Sequence, residues 1–364
     1  MSEARVTDTP SAANLQQLEV AMTSTPAFDG KKATVIHLSN SNGMTASFMD
    51  IGATWLSARL PVGSEHREVL LRAANMEEYI KHSAFIGAVV GRFANRICKG
   101  SFSISGEAFS VGTNNGNNAL HGGLDGFDKR RWLVESQSDN HVVFALESPH
   151  GDQGFPGNLS AKVLYTLTED NAIKIDYMAE VDSASPVNLT NHAYFNLAGE
   201  SSQAKSQDHS LQIAAPHFLP TNDESIPTGE LRSVVGSSFD FTQMKRIGSE
   251  FLADHDQEMA GGYDHSFVFD EKECDADTVV ATLVSPQQDV VMKVKTTKPA
   301  VQFYSGNFLA GCIGASKRYQ NFDGLALETQ YFPDGPNRPE WGENRGILEA
   351  GEPYSHTTIY QFEF

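Results

Sequence analysis

Period-two alternation of apolar and polar residues recurs along this chain, with Gly, Pro, Asn or Asp between the runs and little helical periodicity. KATVIHLSNSNGMTASFMDIG centres on Asn42-Gly43, a dipeptide that favours the positive φ angles of a tight hairpin. SFSISGEAFSV, HVVFALES, AKVLYTLTE, AIKIDYMAEV, ATLVSPQQDVVMKVKTT, AVQFYSGN and TTIYQFEF follow. Only AANMEEYIKHS (73–83) and SEFLADHDQ (249–257) carry short helical patterns, and both fall in connections. Many strands with few helices predict an all-β antiparallel sandwich. At 364 residues the chain exceeds the size at which one core usually stops growing. Yet no repeat and no Pro- or Ser-rich linker divides it. The expectation is one sandwich domain over residues 26–364, preceded by a flexible or loosely docked extension over residues 1–25 with a weak helical pattern from Leu15 to Met22.

Charge narrows the function classes. Twenty-seven basic against 46 acidic side chains give a net charge of −19, which repels nucleic acid and anionic membranes and disfavours a phosphorylated substrate unless a local basic pocket exists. A neutral small molecule meets no such objection. The three cysteines (Cys98, Cys274 and Cys312) are odd in number and far apart, which argues against a disulfide framework and predicts a reducing, cytoplasmic setting. No basic stretch followed by an apolar run marks a signal peptide, and no apolar run approaches a membrane span. HExxH, CxxC, P-loop and helix-opening GxGxxG patterns are absent, so neither a metal nor a nucleotide cofactor is expected.

Four segments place polar groups in strand or turn context. GRFANRICKG (91–100) sets Arg92, Asn95 and Arg96 beside a glycine-bounded turn, which a solvated turn would also explain. NNGNNALHGGLDGFDKRRW (114–132) is dense in Gly and Asn, as close backbone approach requires, with His121 before Gly122-Gly123. In VNLTNHAYFNLAG (187–199), Ala193, Phe195 and Leu197 share one face, while His192, Tyr194 and Asn196 share the other. That second face is either solvated or a surface for sugar hydroxyls, which need paired donors and acceptors. In FDGLALETQYFPDGPNRPEW (322–341), Glu328 interrupts an apolar run. Partial burial there would raise its pKa toward that of a general base, whereas an exposed strand end would leave it ordinary.

The order of the motifs adds what no single one carries. GRFANRI, NALHGG with GFDKRRW, NLTNHAYFNL, GGYDHSF, VQFYSGNFL and LETQYFPDGPN, closed by LEAGEPYSHTTIYQF, resemble the aldose 1-epimerase (galactose mutarotase) family from about residue 30 to the C-terminus. The resemblance implies a galactose mutarotase-like supersandwich with a sugar cleft and neither cofactor nor metal. It implies Glu328 as general base, His192 as general acid and His121 beside the reacting end. Asn95, Arg96, Asp264 and Gln302 would hold sugar hydroxyls, with Arg92 in support. The implied partner is a small sugar, acting on a monomer or weak homodimer. Ring opening would have ionised Glu328 take the C1 hydroxyl proton while protonated His192 donates to the ring oxygen. A hexose-6-phosphate epimerase and a non-catalytic sugar sensor are the alternatives. The turn in LEAGE lacks the proline that commonly precedes this glycine, and the N-terminal extension is additional.

Overall fold

The computed structural model describes residues 12–364. Nine antiparallel strands form the largest sheet, in the order Leu133–Gln137, His141–Ser148, Leu159–Leu167, Ala172–Val181, Tyr354–Glu363, Val291–Thr296, Ala281–Val284, Ser210–Ile213, Lys245–Arg246. The C-terminal strand thus lies at its centre, between Ala172–Val181 and Val291–Thr296. Alternation along these strands sends every second residue inward. In Leu159–Leu167, for example, Leu159, Ala161, Val163, Tyr165 and Leu167 are all buried.

Two smaller sheets supply other parts of the same core. One contains the four strands Val35–Ser39, Thr45–Met49, Thr54–Val62 and Glu65–Glu68. Its first pair closes over Asn40–Met44, where Gly43 takes φ +85° and the Asn40 carboxamide oxygen accepts the N–H groups of Asn42 and Met44. The expected hairpin is present, with a longer loop than a two-residue turn. The other sheet has the order Arg232–Ser233, His217–Leu219, Asp264–Val268, Ala300–Tyr304, Ala326–Gln330. Phe48 lies 4.4 Å from Tyr165 between ring centroids and Trp55 lies 5.8 Å from Tyr360, so aromatic contacts tie the four-stranded sheet to the nine-stranded one. Phe267, Phe303 and Leu327 of the five-stranded sheet belong to the same apolar cluster.

The segment Val187–Leu197 joins the two smaller sheets. Thr190 and Asn191 pair with Val90 and Val89. Phe195 exchanges backbone hydrogen bonds with Leu325, at 2.7 and 3.0 Å. On the opposite side, Leu71 N–H donates to Tyr194 O and Asn196 N–H donates to Val69 O.

Helices are few. α1 (Ala12–Thr23) buries Leu18 and Met22, four residues apart on one face, in a small cluster with Met49, Ile51 and Met76. The weak helical pattern expected from Leu15 to Met22 is thus part of a longer helix that docks from residue 12 onward, rather than a flexible stretch, while residues 1–11 lie outside the described residues. α2 (Met76–Lys81) falls within the predicted 73–83 pattern, capped by the Asn75 carboxamide on Glu78 N–H. α3 (His255–Ala260) begins later than the predicted 249–257, because the Asp254 side chain accepts from Gln257 N–H and starts the helix there.

One buried cation supports the joining segment. Lys298 is fully buried, its Nζ 4.2 Å from the Tyr331 ring centre and 4.4 Å from that of Tyr354. It donates to the Tyr354 hydroxyl at 2.5 Å, and the same hydroxyl accepts Leu189 N–H at 2.8 Å. Its partners are rings and a phenol rather than a carboxylate, and burial pulls its pKa well below 10.5. The unfolded chain then holds this proton more tightly than the folded one, so raising the pH toward 10.5 favours folding. Lys298→Met is expected to raise the melting temperature at pH 7 by roughly 2 °C or more. Calorimetry from pH 7 to 10 should show the wild type gaining on the variant.

Candidate active site

On the five-stranded sheet, alternation divides two faces sharply. His265, Phe267, Val301, Phe303 and Leu327 enter the core, while Asp264, Tyr304 and Glu328 face a cleft of about 500 Å³. Gln302 and Glu328 are direct cross-strand neighbours, as are Asp264 and Tyr304. The joining segment follows the same rule. Ala193, Phe195 and Leu197 are core, and His192 and Tyr194 line the cleft. Asn196 departs from the expected sugar-facing set: its amide donates to Ala204 O and Asp323 O and is consumed in structure.

His192 Nε2 lies 3.5 Å from Glu328 Oε1, and both side chains are almost wholly buried. Burial lowers the His192 pKa to about 4 and raises that of Glu328 well above 4.5, with Asp264 adding to the rise and Arg96 opposing it. At that separation mutual attraction favours the ion pair, while desolvation favours the neutral forms. Both pKa shifts run toward a protonated Glu328 and a neutral His192, the reverse of the ionised Glu328 and protonated His192 expected from the sequence, and either arrangement carries one proton on the pair. Glu328 Oε2 and His192 Nδ1 are closed off from solvent and have no hydrogen-bond partner in the protein.

His121 arrives through the glycine-rich loop. Its φ is +52°, and Gly122 follows at φ +95°, where a Cβ would lie 1.8 Å from Gly91 O. The His121 N–H donates to Asn95 O at 3.1 Å, while His121 Nδ1 accepts Asn95 N–H at 3.0 Å. With Nδ1 an acceptor, the proton of the neutral ring sits on Nε2. Burial, then the neighbouring His192 and Arg96, keep this ring's pKa well below 6.5, so it is a hydrogen-bond donor rather than a cation. Donor atoms of His121, His192 and Glu328 lie within 4.8 Å of one another, a spacing that suits a metal ion. The donor set does not: one His121 nitrogen is engaged by Asn95 N–H and the other carries the proton, so neither lone pair is free.

Arg96 and Asp264 face each other at 3.6 Å, and Arg96 Nε donates to the Asn115 carboxamide at 3.0 Å. Asn95 lines the cleft too, its Oδ1 accepting Arg96 N–H. Gln302 does not line the cleft. It lies behind Asp264 and donates to Asp264 Oδ1 at 2.7 Å, which places it as a support for that carboxylate. Arg92 is buried away from the cleft, donating to the carbonyls of Ser148, Pro149, Pro156 and Gly157 and to the Ser148 and Ser185 hydroxyls. It clasps the 148–157 loop, and neither arginine sits on a solvated turn.

A family model described as aldose 1-epimerase matches residues 34–361. The chain belongs to the aldose 1-epimerase family. Among the family's curated members, aldose 1-epimerase of Escherichia coli (strain K12) is 49% identical over 342 residues, covering 93% of this chain and 98% of the relative. Galactose mutarotase of Bos taurus is 40% identical over 297 residues, covering 81% and 84%. The solved aldose epimerase homologue from C. elegans superposes with a TM-score of 0.81 at 28% identity, covering 91% of this chain and 99% of that one. Galactose 1-epimerase from Lactobacillus acidophilus gives 0.79 at 28% identity, with 92% and 96% covered. The all-β antiparallel sandwich expected from the strand pattern is the fold of this family.

The cleft also contains residues that sequence reasoning passed over. Tyr304 stands two residues beyond Gln302, and the alternation of VQFYSGN would have placed it on the same face. Phe85, Asn115 and Phe308 come from loops and carried no periodic signal. The two arginines of GRFANRI should separate in a urea denaturation experiment. Arg92→Met is expected to cost about 3 kcal/mol, because six acceptors lose their donor. Arg96→Met should cost less than Arg92→Met, because Arg96 has one carboxylate and one carboxamide as partners rather than six acceptors.

Proposed function

We propose that this chain interconverts the α and β anomers of free aldoses such as glucose and galactose, with Glu328 and His192 moving the protons. The observation that carries the reading is the buried Glu328–His192 contact at 3.5 Å, opening on a cleft whose other polar groups suit hydroxyls. Anomer exchange opens a cyclic hemiacetal, turns the freed carbonyl and closes the ring on its other face. Opening removes the proton of the C1 hydroxyl and adds one to the ring oxygen; closure reverses both transfers. A pair holding one proton does this without net change. Glu328 accepts from the C1 hydroxyl, His192 donates to the ring oxygen, and each recovers its state when the ring closes.

His121 presents Nε2–H as a fixed donor near the ring oxygen or C1. Asn95, Arg96 and Asp264 hold the remaining hydroxyls, and Gln302 keeps Asp264 oriented. Desolvation inside the cleft strengthens each of these bonds. The alternative hexose-6-phosphate substrate lacks support, because the cleft's two cations are engaged: Arg96 with Asp264 and Asn115, and Lys81 with Glu77 and Glu78. A non-catalytic sensor would not need the buried acid–base pair. Three unpaired cysteines favour a cytoplasmic setting. No helix among the described residues is long and apolar enough to cross a membrane.

Polarimetry on fresh α-D-glucose and α-D-galactose tests the reading. The wild type should speed the approach to equilibrium rotation, and a trace matching the buffer blank would overturn the proposal for those sugars. Glu328→Gln and His192→Asn should each lower kcat by about 10² or more; activity within a few-fold of wild type would reject the corresponding role. A second proton on the pair removes the base, so kcat/KM should fall as the pH drops toward the His192 value of about 4.

A further inference from the structure

We propose that Phe85 is a positioning residue of this site: a left-handed backbone holds its ring against His192 and His121, fixing both imidazoles and keeping water from their faces. The proposal rests on the anomer-exchange reading and adds a residue to it. Phe85 lines the cleft half-buried, its ring 6.0 Å from that of His192 and stacked at 23°. The same ring meets His121 edge-on, with centroids 4.6 Å apart. The two imidazoles stand 5.3 Å from each other at 77°, so one phenyl contacts both members of a crossed pair.

The backbone underneath is unusual. Phe85 takes φ +54°, a region that costs a bulky L-residue about 1–3 kcal/mol. The surrounding hydrogen bonds hold it there. Ala88 N–H donates back to Phe85 O at 3.0 Å, closing the turn. Gly87 N–H then donates to His192 O at 2.9 Å, and His192 N–H donates to Ala88 O at 2.8 Å. The turn that carries the phenyl is thereby bonded to the peptide that carries the imidazole. Neither can shift without the other.

Exclusion of water is the chemical consequence. Burial is the main cause of the lowered pKa of both histidines, and the phenyl packs beside both rings at the cleft wall. The titratable groups around His192 are Glu328, Asp264, Arg96, His121, Tyr194 and Tyr304, with Glu78, Lys81, His82 and Cys312 elsewhere on the cleft wall. Substitution of an uncharged ring leaves all of them in place, so a changed His192 titration reports hydration and ring orientation rather than a lost charge.

Phe85→Leu and Phe85→Gly test this together, with NMR titration of the histidines, a pH profile of anomer exchange and thermal melts. Both variants should lower kcat about tenfold with a smaller change in KM, and the His192 midpoint should rise from about 4 by about one unit. Phe85→Gly, which relieves the backbone, should melt at or above the temperature of Phe85→Leu despite losing more side chain. Phe85→Tyr should retain most of the activity. Unchanged kcat, or a lower kcat with an unmoved His192 midpoint, would overturn the proposal. The titration is read on the unliganded protein, so it decides the role of Phe85 even if the wild type fails to exchange the anomers of the sugars tried.

Discussion

The two smaller sheets are joined through the backbone of Val187–Leu197. Phe195 bonds to Leu325 on one side, while Tyr194 and Asn196 bond to Leu71 and Val69 on the other. Val187, Leu189, Ala193, Phe195 and Leu197 enter the common core, so the register is set by burial. A slip of one residue would turn Phe195 toward the cleft and drive His192 into the apolar core. His192 is thus positioned by the same interaction that holds the sandwich together, and Glu328 reaches it from the adjoining strand Ala326–Gln330.

The chemistry follows from placing two ionisable groups where water is scarce. Alone, a buried carboxylic acid keeps its proton and a buried imidazole refuses one. Set 3.5 Å apart, the two groups carry one proton between them in either the neutral or the ion-pair arrangement. Around them the remaining polarity is allocated without much slack. Asn95 fixes the tautomer of His121, Gln302 fixes Asp264, and Arg96 is held between Asp264 and Asn115. Hydroxyl-bearing ligands fit such a site because they both donate and accept.

Much of this was legible in the chain. Period-two alternation marked the strands and separated Ala193, Phe195 and Leu197 from His192 and Tyr194. The Gly122-Gly123 pair announced close backbone approach, and the motif order marked the family. The helical pattern of the extension was visible from Leu15 to Met22, but its firm docking was not, because the Leu18–Met22 stripe is short and its apolar partners, Met49, Ile51 and Met76, are distant in sequence. Asn196 looked available for a ligand because its acceptors, Ala204 O and Asp323 O, come from loops with no pattern.

What the chain determined by itself was which residues share a face, since alternation is a local property of extended backbone. It also supplied the residue types suited to proton transfer and hydroxyl binding. Only the tertiary structure decided that Glu328 and His192 touch, that Gln302 stands behind Asp264, and that Arg92 clasps a loop while Arg96 faces the cleft. Only it joined the phenyl of Phe85 to two histidines. Those outcomes depend on distances between segments far apart in sequence and on how much water each group retains, and neither quantity is carried by local pattern.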